Sequence, residues 1–206
     1  MFNIFPPPGK NPRSWGGPFW IVLHVAFHGE TWENDNVRRI HDLMPDLLPC
    51  ATCRKNHGRF RRDVESKMFA QPGEWVNEAH NFVNAMHNRD IFTYDQCVTR
   101  TQSLYFQPWI IVNAFFKMCT FLISHYQTKL RTPELISAFC QLLPFHPKIT
   151  QHIENITKLN WGESKDEKLF LLKKIHEVHL TYVNNICVPS FEQYIKWISE
   201  ASYGGY

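Results

Sequence analysis

The sequence has no long uninterrupted apolar run and little net charge. Its most apolar stretch, WIIVNAFFKMCTFLIS, spans residues 109 to 124 and contains Lys117, whereas a bilayer-spanning helix needs about 20 apolar residues. We therefore interpret this stretch as a buried helix and expect no membrane span. The formal net charge is only +3, and RKNHGRFRR at residues 54 to 62 is the one local concentration of basic residues. Because so small a patch is typical of a solvated helix face, we expect no nucleic acid partner.

The N-terminus lacks a targeting signal of a recognisable kind. MFNIFPPPGKNPRS has neither the apolar core of a secretory signal nor the Arg-rich amphipathic pattern of a transit peptide. We therefore expect the chain to be in the cytosol after its synthesis. Residues 1–13 are interpreted as a Pro-rich arm.

Cysteine is too sparse for a disulfide-stabilised scaffold. The 206 residues contain six cysteines, at positions 50, 53, 97, 119, 140 and 187, and a chain of this length can form a core without disulfides. Cys119 and Cys140 lie in apolar helical stretches, which predicts buried thiols. Cys97 could pair with a distant cysteine.

The apolar pattern predicts an all-α protein, because no run of alternating residues is long enough to form a sheet. A composition change near residue 105 suggests a domain over 14–105 and a helical C-terminal region over 106–206. That second region could be a further helical layer, a partner-recruiting surface or a dimer surface. Helices are predicted over 16–29, 33–48, from Cys50 and Cys53 toward Met68, and over 74–87, 93–106, 107–127, 133–143 and 165–186.

Cys50 and Cys53 form the only Cys-x-x-Cys spacing in the chain. A zinc site would need a second ligand pair, and His57, His80 and His87 fit no common zinc module. A thioredoxin-like motif would need a preceding strand, and a structural disulfide over so short a span would stabilise little. Reversible redox chemistry is therefore the favoured function of the pair. A dithiol alone only exchanges disulfides, so net oxidation also needs an electron acceptor.

Two helix faces indicate where such an acceptor could bind. Trp20 and His24 lie four residues apart and share one face, as do His80 and Asn84, with Val83 beside them. Each face alone is compatible with ordinary core packing. Two mixed aromatic and polar faces flanking a Cys pair are instead typical of a pocket for a flat polar cofactor.

Three ordered motifs resemble those of the Erv/ALR family of FAD-linked sulfhydryl oxidases. They are WGGPFW with LH at residues 15 to 24, LPCATC at 48 to 53, and a tryptophan followed by HNFVN at 75 to 84. The Trp-Gly opening is most similar to the forms carried by large cytoplasmic DNA viruses, which implies a location in the host cytoplasm or the virion. The resemblance also implies a four-helix bundle with a short fifth helix, FAD at one end of the bundle, and a homodimer.

The resemblance implies an enzyme that forms disulfides in thiol-containing protein substrates. Cys50 would be attacked by an incoming thiol, and Cys53 would lie against the flavin ring. Electrons would pass through FAD to molecular oxygen and give hydrogen peroxide. Positions matching FAD contacts of the family, together with the cationic side chains placed to meet its phosphates, are Trp20, His24, Cys53, His80, Asn81, Val83, Asn84, and Arg89 or His87.

The chain departs from the family pattern at several positions. Leu48 stands where an aromatic residue often precedes the Cys pair, and Met86 stands where a basic residue often follows the His-Asn motif. The shuttle pair and the structural pair of many relatives do not appear at their usual spacings, and Cys187 is the best single candidate for a shuttle cysteine. The alternative from another class is a non-catalytic helical interaction protein whose Cys pair is structural or zinc-bound.

Overall fold

The computed structural model describes residues 12–48, 54–57, 70–125, 131–162, 164–182, 190–193 and 195–196. Cys50, Cys53 and Cys187 lie outside these described residues. Residues 1–11 of the predicted arm lie outside as well, and so does most of the helix predicted from the Cys pair toward Met68.

Within the described residues the chain is helical and contains no strand, which confirms the all-α prediction. Residues 54–57 add one helical turn. Seven predicted helices agree with the structure, with ends that differ by up to four residues, and α7 was not predicted. The helices are α1 (Pro12–Phe27), α2 (Asp35–Leu47), α3 (Pro72–Met86), α4 (Tyr94–Tyr105), α5 (Pro108–His125), α6 (Thr132–Leu142), α7 (Pro147–Thr157) and α8 (Lys165–Tyr182).

Local side-chain hydrogen bonds fix several helix ends. The Thr93 hydroxyl accepts from the Gln96 N–H at 3.3 Å, and the Gln96 side chain accepts from the Thr93 N–H at 3.0 Å. Ser164 and Glu167, which have the spacing of a capping box in the sequence, form the same reciprocal pair at 3.2 and 3.1 Å. Gly29, with φ of 73°, follows the end of α1 in the left-handed region that glycine adopts without strain.

The hydrophobic core is shared between the two predicted regions. α1 packs most extensively on α5 and also contacts α3, α4 and α6, while α2 packs on α6. Phe19 of α1 meets Phe139 of α6 edge to face with ring centroids 6.0 Å apart. One cluster of buried side chains therefore extends across residue 105. The described helices α5 and α6 therefore share a core with α1 and α2.

The apolar stretch over 109–124 is the buried helix that was predicted. It forms most of α5, whose Ile111, Phe115, Phe116 and Cys119 are at most 1% exposed. Among the described residues, no single helix has the length and apolar character of a membrane span, although α4 and α5, bent by 99°, pass that test as a pair.

Candidate functional site

A cavity of about 810 Å³ is lined by α1, α3 and α4, with contributions from the end of α2 and from the 54–57 turn. Six of the predicted site residues line it together, although they come from separate parts of the chain. These are Trp20 and His24 of α1, His80, Asn81 and Val83 of α3, and Arg89 of the loop that follows α3.

α3 is held in register by its first turn and by a buried tryptophan. The Glu74 carboxylate accepts from the N–H groups of Ala70 and Gln71, at 3.0 and 3.3 Å, and so binds amides at the helix start. Trp75 is 1% exposed and packs against Phe27 of α1, with ring centroids 6.1 Å apart. Trp75 and His80 both line the cavity, so these contacts hold the cavity residues of α3 beside α1.

Trp20, His24 and His80 form one aromatic cluster in the cavity wall. The Trp20 and His80 rings stack at 4.3 Å with an interplanar angle of 9°. The His24 ring lies 5.2 Å from His80 and 6.2 Å from Trp20. His24 Nε2 lies 2.9 Å from His80 Nδ1, a hydrogen bond between residues 56 positions apart. The structure therefore joins the two faces that the sequence identified separately.

Cys97 extends this cluster into α4. Its Sγ lies 3.1 Å from His24 Nδ1, and it lines the cavity. Cys97 is a free thiol, so the suggested disulfide to a distant cysteine is not formed, whereas Cys119 and Cys140 are the buried free thiols that were predicted. The sequence offered no signal that Cys97 would meet His24, because the contact depends on how α4 packs against α1.

His24 and His80 are uncharged at neutral pH. Burial and, second, the neighbouring His80 lower the pKa of His24 to about 3. Burial likewise lowers the pKa of His80 to about 4, with the positive charge of Arg89 as a second cause. Burial raises the pKa of the Cys97 thiol. Two neutral imidazoles and a protonated thiol can hydrogen-bond to each other, and this part of the cavity wall then carries no charge.

Asn81 has a structural function that the sequence did not predict. Its Nδ2 donates to the Phe92 carbonyl at 2.7 Å, and its Oδ1 accepts from the Phe92 N–H at 3.0 Å. Asn77, one turn earlier on the same face, donates to the same carbonyl at 3.3 Å. These amides hold the segment between α3 and α4 against the cavity. Both polar atoms of the Asn81 amide bond to this segment, which gives Asn81 a structural function, while its predicted cofactor contact stays a prediction.

Asn84 does not line the cavity. It is 4% exposed, and its Nδ2 donates to the Asp90 carbonyl at 3.1 Å. Its backbone carbonyl accepts from the Arg89 N–H at 2.9 Å. Asn84 therefore positions the turn that carries Arg89, and this placement gives no direct support to the predicted contact between Asn84 and a cofactor.

Three exposed cationic or ionisable side chains line the cavity. Two of them are Arg89 and His87, whose contact with phosphates stays a prediction. Arg100 of α4 also lines the cavity, and its guanidinium lies 3.7 Å above the Phe92 ring. The sequence analysis did not identify Arg100 as a cavity residue, because the packing of α4 in the fold brings it there.

Described residues close to the Cys pair in the sequence, on both sides of it, also line the cavity or bond to a residue that does. Leu48, two residues before Cys50, lines the cavity and is 8% exposed. Asn56 and His57 line it from the other side of the pair. Arg54 donates to the Leu48 carbonyl at 2.6 Å, which ties the chain after the pair to the chain before it.

Within the described ranges, no group of three or more His, Cys, Asp or Glu side chains could hold a metal ion. Because Cys50 and Cys53 lie outside those ranges, this finding does not test the zinc alternative. Comparison of the chain with protein-family models, curated proteins and solved structures finds no match in any of the three.

Proposed function

We propose that this chain is an FAD-dependent thiol oxidase that forms disulfides in protein substrates, with Cys50 and Cys53 as its redox-active pair. The observation that carries the proposal is the convergence of separate motifs on one cavity of about 810 Å³. The residues whose pattern resembles the Erv/ALR family meet there as a hydrogen-bonded and stacked cluster. A bundle of four helices and a short fifth helix, and a homodimer, belong to the same proposal.

The size and the lining of the cavity support FAD as its ligand. Pockets for small molecules and cofactors span roughly 300–1,000 Å³, so this cavity can take a large ligand. The flat face of Trp20 suits an aromatic ring system. Arg89 and Arg100 can pair with the two phosphates of a dinucleotide, for which the planar guanidinium is well shaped. Leu48 supplies aliphatic packing where relatives often have an aromatic side chain.

Described residues on both sides of the Cys pair line the cavity. Leu48 stands two residues before Cys50 in the sequence, and Asn56 stands three residues after Cys53. This sequence neighbourhood supports the proposal that the redox pair acts at the cavity.

The proposed work of the Cys pair is thiol–disulfide exchange. A substrate thiolate attacks Cys50 Sγ of the Cys50–Cys53 disulfide, and the S–S bond breaks to release Cys53 as a thiolate. A second substrate thiolate then attacks the substrate sulfur of this mixed disulfide, which gives the substrate disulfide and releases Cys50 as a thiolate. The chemistry that bound FAD supplies is acceptance of an electron pair from the reduced Cys pair and its transfer to molecular oxygen, which yields hydrogen peroxide.

A flavin spectrum combined with an oxygen assay tests the proposal. The purified chain should show a flavin absorbance band and consume oxygen when dithiothreitol is supplied. Cys50→Ser and Cys53→Ser should each abolish this consumption, whereas Cys119→Ser, at a buried thiol away from the cavity, should retain it. A colourless, zinc-containing preparation, or undiminished turnover in either of the first two variants, would contradict the proposal.

A further inference from the structure

Cys97, His24 and His80 form a continuous chain of hydrogen-bonding atoms. Cys97 Sγ lies 3.1 Å from His24 Nδ1, and His24 Nε2 lies 2.9 Å from His80 Nδ1. All three residues line the cavity. Each neutral imidazole has one N–H and one acceptor nitrogen, so the direction of the first bond determines the direction of the second.

The chemistry of sulfur favours one direction. A thiol is a weak donor and a weak acceptor, whereas an unprotonated imidazole nitrogen is a good acceptor. The S–H···N arrangement is therefore better than N–H···S for a protonated cysteine. If Cys97 donates to Nδ1 of His24, then His24 must carry its proton on Nε2 and donate to Nδ1 of His80. His80 must then carry its own proton on Nε2.

We infer that Cys97 is a positioning residue that sets the direction of this chain, so that His80 presents Nε2–H to the ligand and the cavity selects a hydrogen-bond acceptor at that point. The acceptor can be a ring nitrogen, a carbonyl oxygen or a ribose oxygen. This inference rests on the proposed function and deepens it. An N–H donor at this point would bind an acceptor atom of FAD and would not bind one of its N–H or O–H groups. Without Cys97, His24 loses its donor at Nδ1 and the chain can reverse.

Nuclear magnetic resonance of the full-length protein labelled with ¹⁵N-histidine measures this direction. Long-range ¹H–¹⁵N correlation separates protonated from unprotonated ring nitrogens. His24→Gln and His80→Gln variants assign the two residues. We expect both histidines of the wild-type protein to carry the proton on Nε2. A wild-type spectrum with Nδ1–H on either residue would overturn the inference.

Substitutions at Cys97 test whether the thiol is the cause. Cys97→Ala should shift the Nδ1 resonance of His24, because that nitrogen loses its donor. Cys97→Ser keeps an X–H donor and should stay close to the wild-type resonance, and Cys119→Ala should leave it unchanged. An unchanged Nδ1 resonance in Cys97→Ala, or a serine variant identical to the alanine variant, would contradict the inference.

A titration with FAD connects the chain to the proposed ligand. Cys97→Ala should weaken FAD binding about tenfold, the effect of losing about one well-placed hydrogen bond, and Cys97→Ser should recover most of that loss. Equal affinity of the alanine variant and the wild type would contradict the link to the ligand. If the wild-type protein binds no FAD, the proposed function fails, while the histidine resonances still decide the direction of the chain.

Discussion

Replacing Asn81 by alanine tests whether one amide holds the segment between α3 and α4 in place. The substitution removes the 2.7 Å bond to the Phe92 carbonyl and the 3.0 Å bond from the Phe92 N–H. The carbonyl keeps Asn77 as a donor at 3.3 Å, while the N–H loses the Asn81 acceptor.

The cost follows from those two losses. A buried donor left without a partner costs about 1–3 kcal/mol, and a net hydrogen bond contributes about 0.5–1.5 kcal/mol. Asn81 is 8% exposed, but Phe92 is only partly buried, so water can reach the freed N–H in part. We therefore expect Asn81→Ala to lower the free energy of unfolding by about 2 to 3 kcal/mol.

Urea unfolding followed by circular dichroism measures this loss, with Asn77→Ala as the matched control. Asn77 makes one longer bond to a carbonyl that keeps Asn81, so its replacement should cost about 1 kcal/mol. The reasoning is refuted if Asn81→Ala costs less than about 0.5 kcal/mol or no more than Asn77→Ala.

Three further predictions concern charge, ligand phosphates and the shared core. Because the pKa values of His24 and His80 are lowered from 6.5 to about 3 and about 4, the unfolded chain binds protons that the folded protein does not. The free energy of unfolding contributed by these residues should therefore fall as pH decreases from about 6.5 toward about 4. Urea titrations of a His24→Asn variant should show a shallower decline with pH than those of the wild type. An equal or steeper decline would contradict the lowered pKa of His24. Arg89→Gln and Arg100→Gln should weaken FAD binding but leave riboflavin binding nearly unchanged, and equal losses for both ligands would contradict a phosphate contact. A fragment ending at residue 105 should show no cooperative thermal unfolding, because α1 would lose α5, its main packing partner, whereas a sharp transition would show that the first region folds alone.

The periodic apolar pattern predicted most of the fold, because buried stripes and capping residues are local signals. Ser164 and Glu167, for example, have the capping-box spacing and bond to each other at the start of α8. α7 was missed although Pro147 stands at its start and Ile149, Ile153 and Ile156 are buried at helical spacing. The signal was present but lay in a short segment rich in polar residues.

The candidate site was predictable only in part. Trp20, His24 and His80 were identified from their spacing within helices, and the structure brings them together. Cys97 and Arg100 reach the cavity through the packing of α4, which no local pattern encodes. The predicted catalytic functions of Cys50 and Cys53 stay predictions, since both lie outside the described residues.

The most direct test of the central proposal is the stoichiometry of the reaction in one vessel. Purified protein would be given a reduced dithiol substrate, and loss of thiols, consumption of oxygen and formation of hydrogen peroxide would be recorded together, with Cys50→Ser as the inactive control. We expect two thiols lost and one peroxide formed for each oxygen consumed, all dependent on bound flavin. Thiol loss at the rate of the Cys50→Ser control, without peroxide, would contradict a flavin-dependent thiol oxidase.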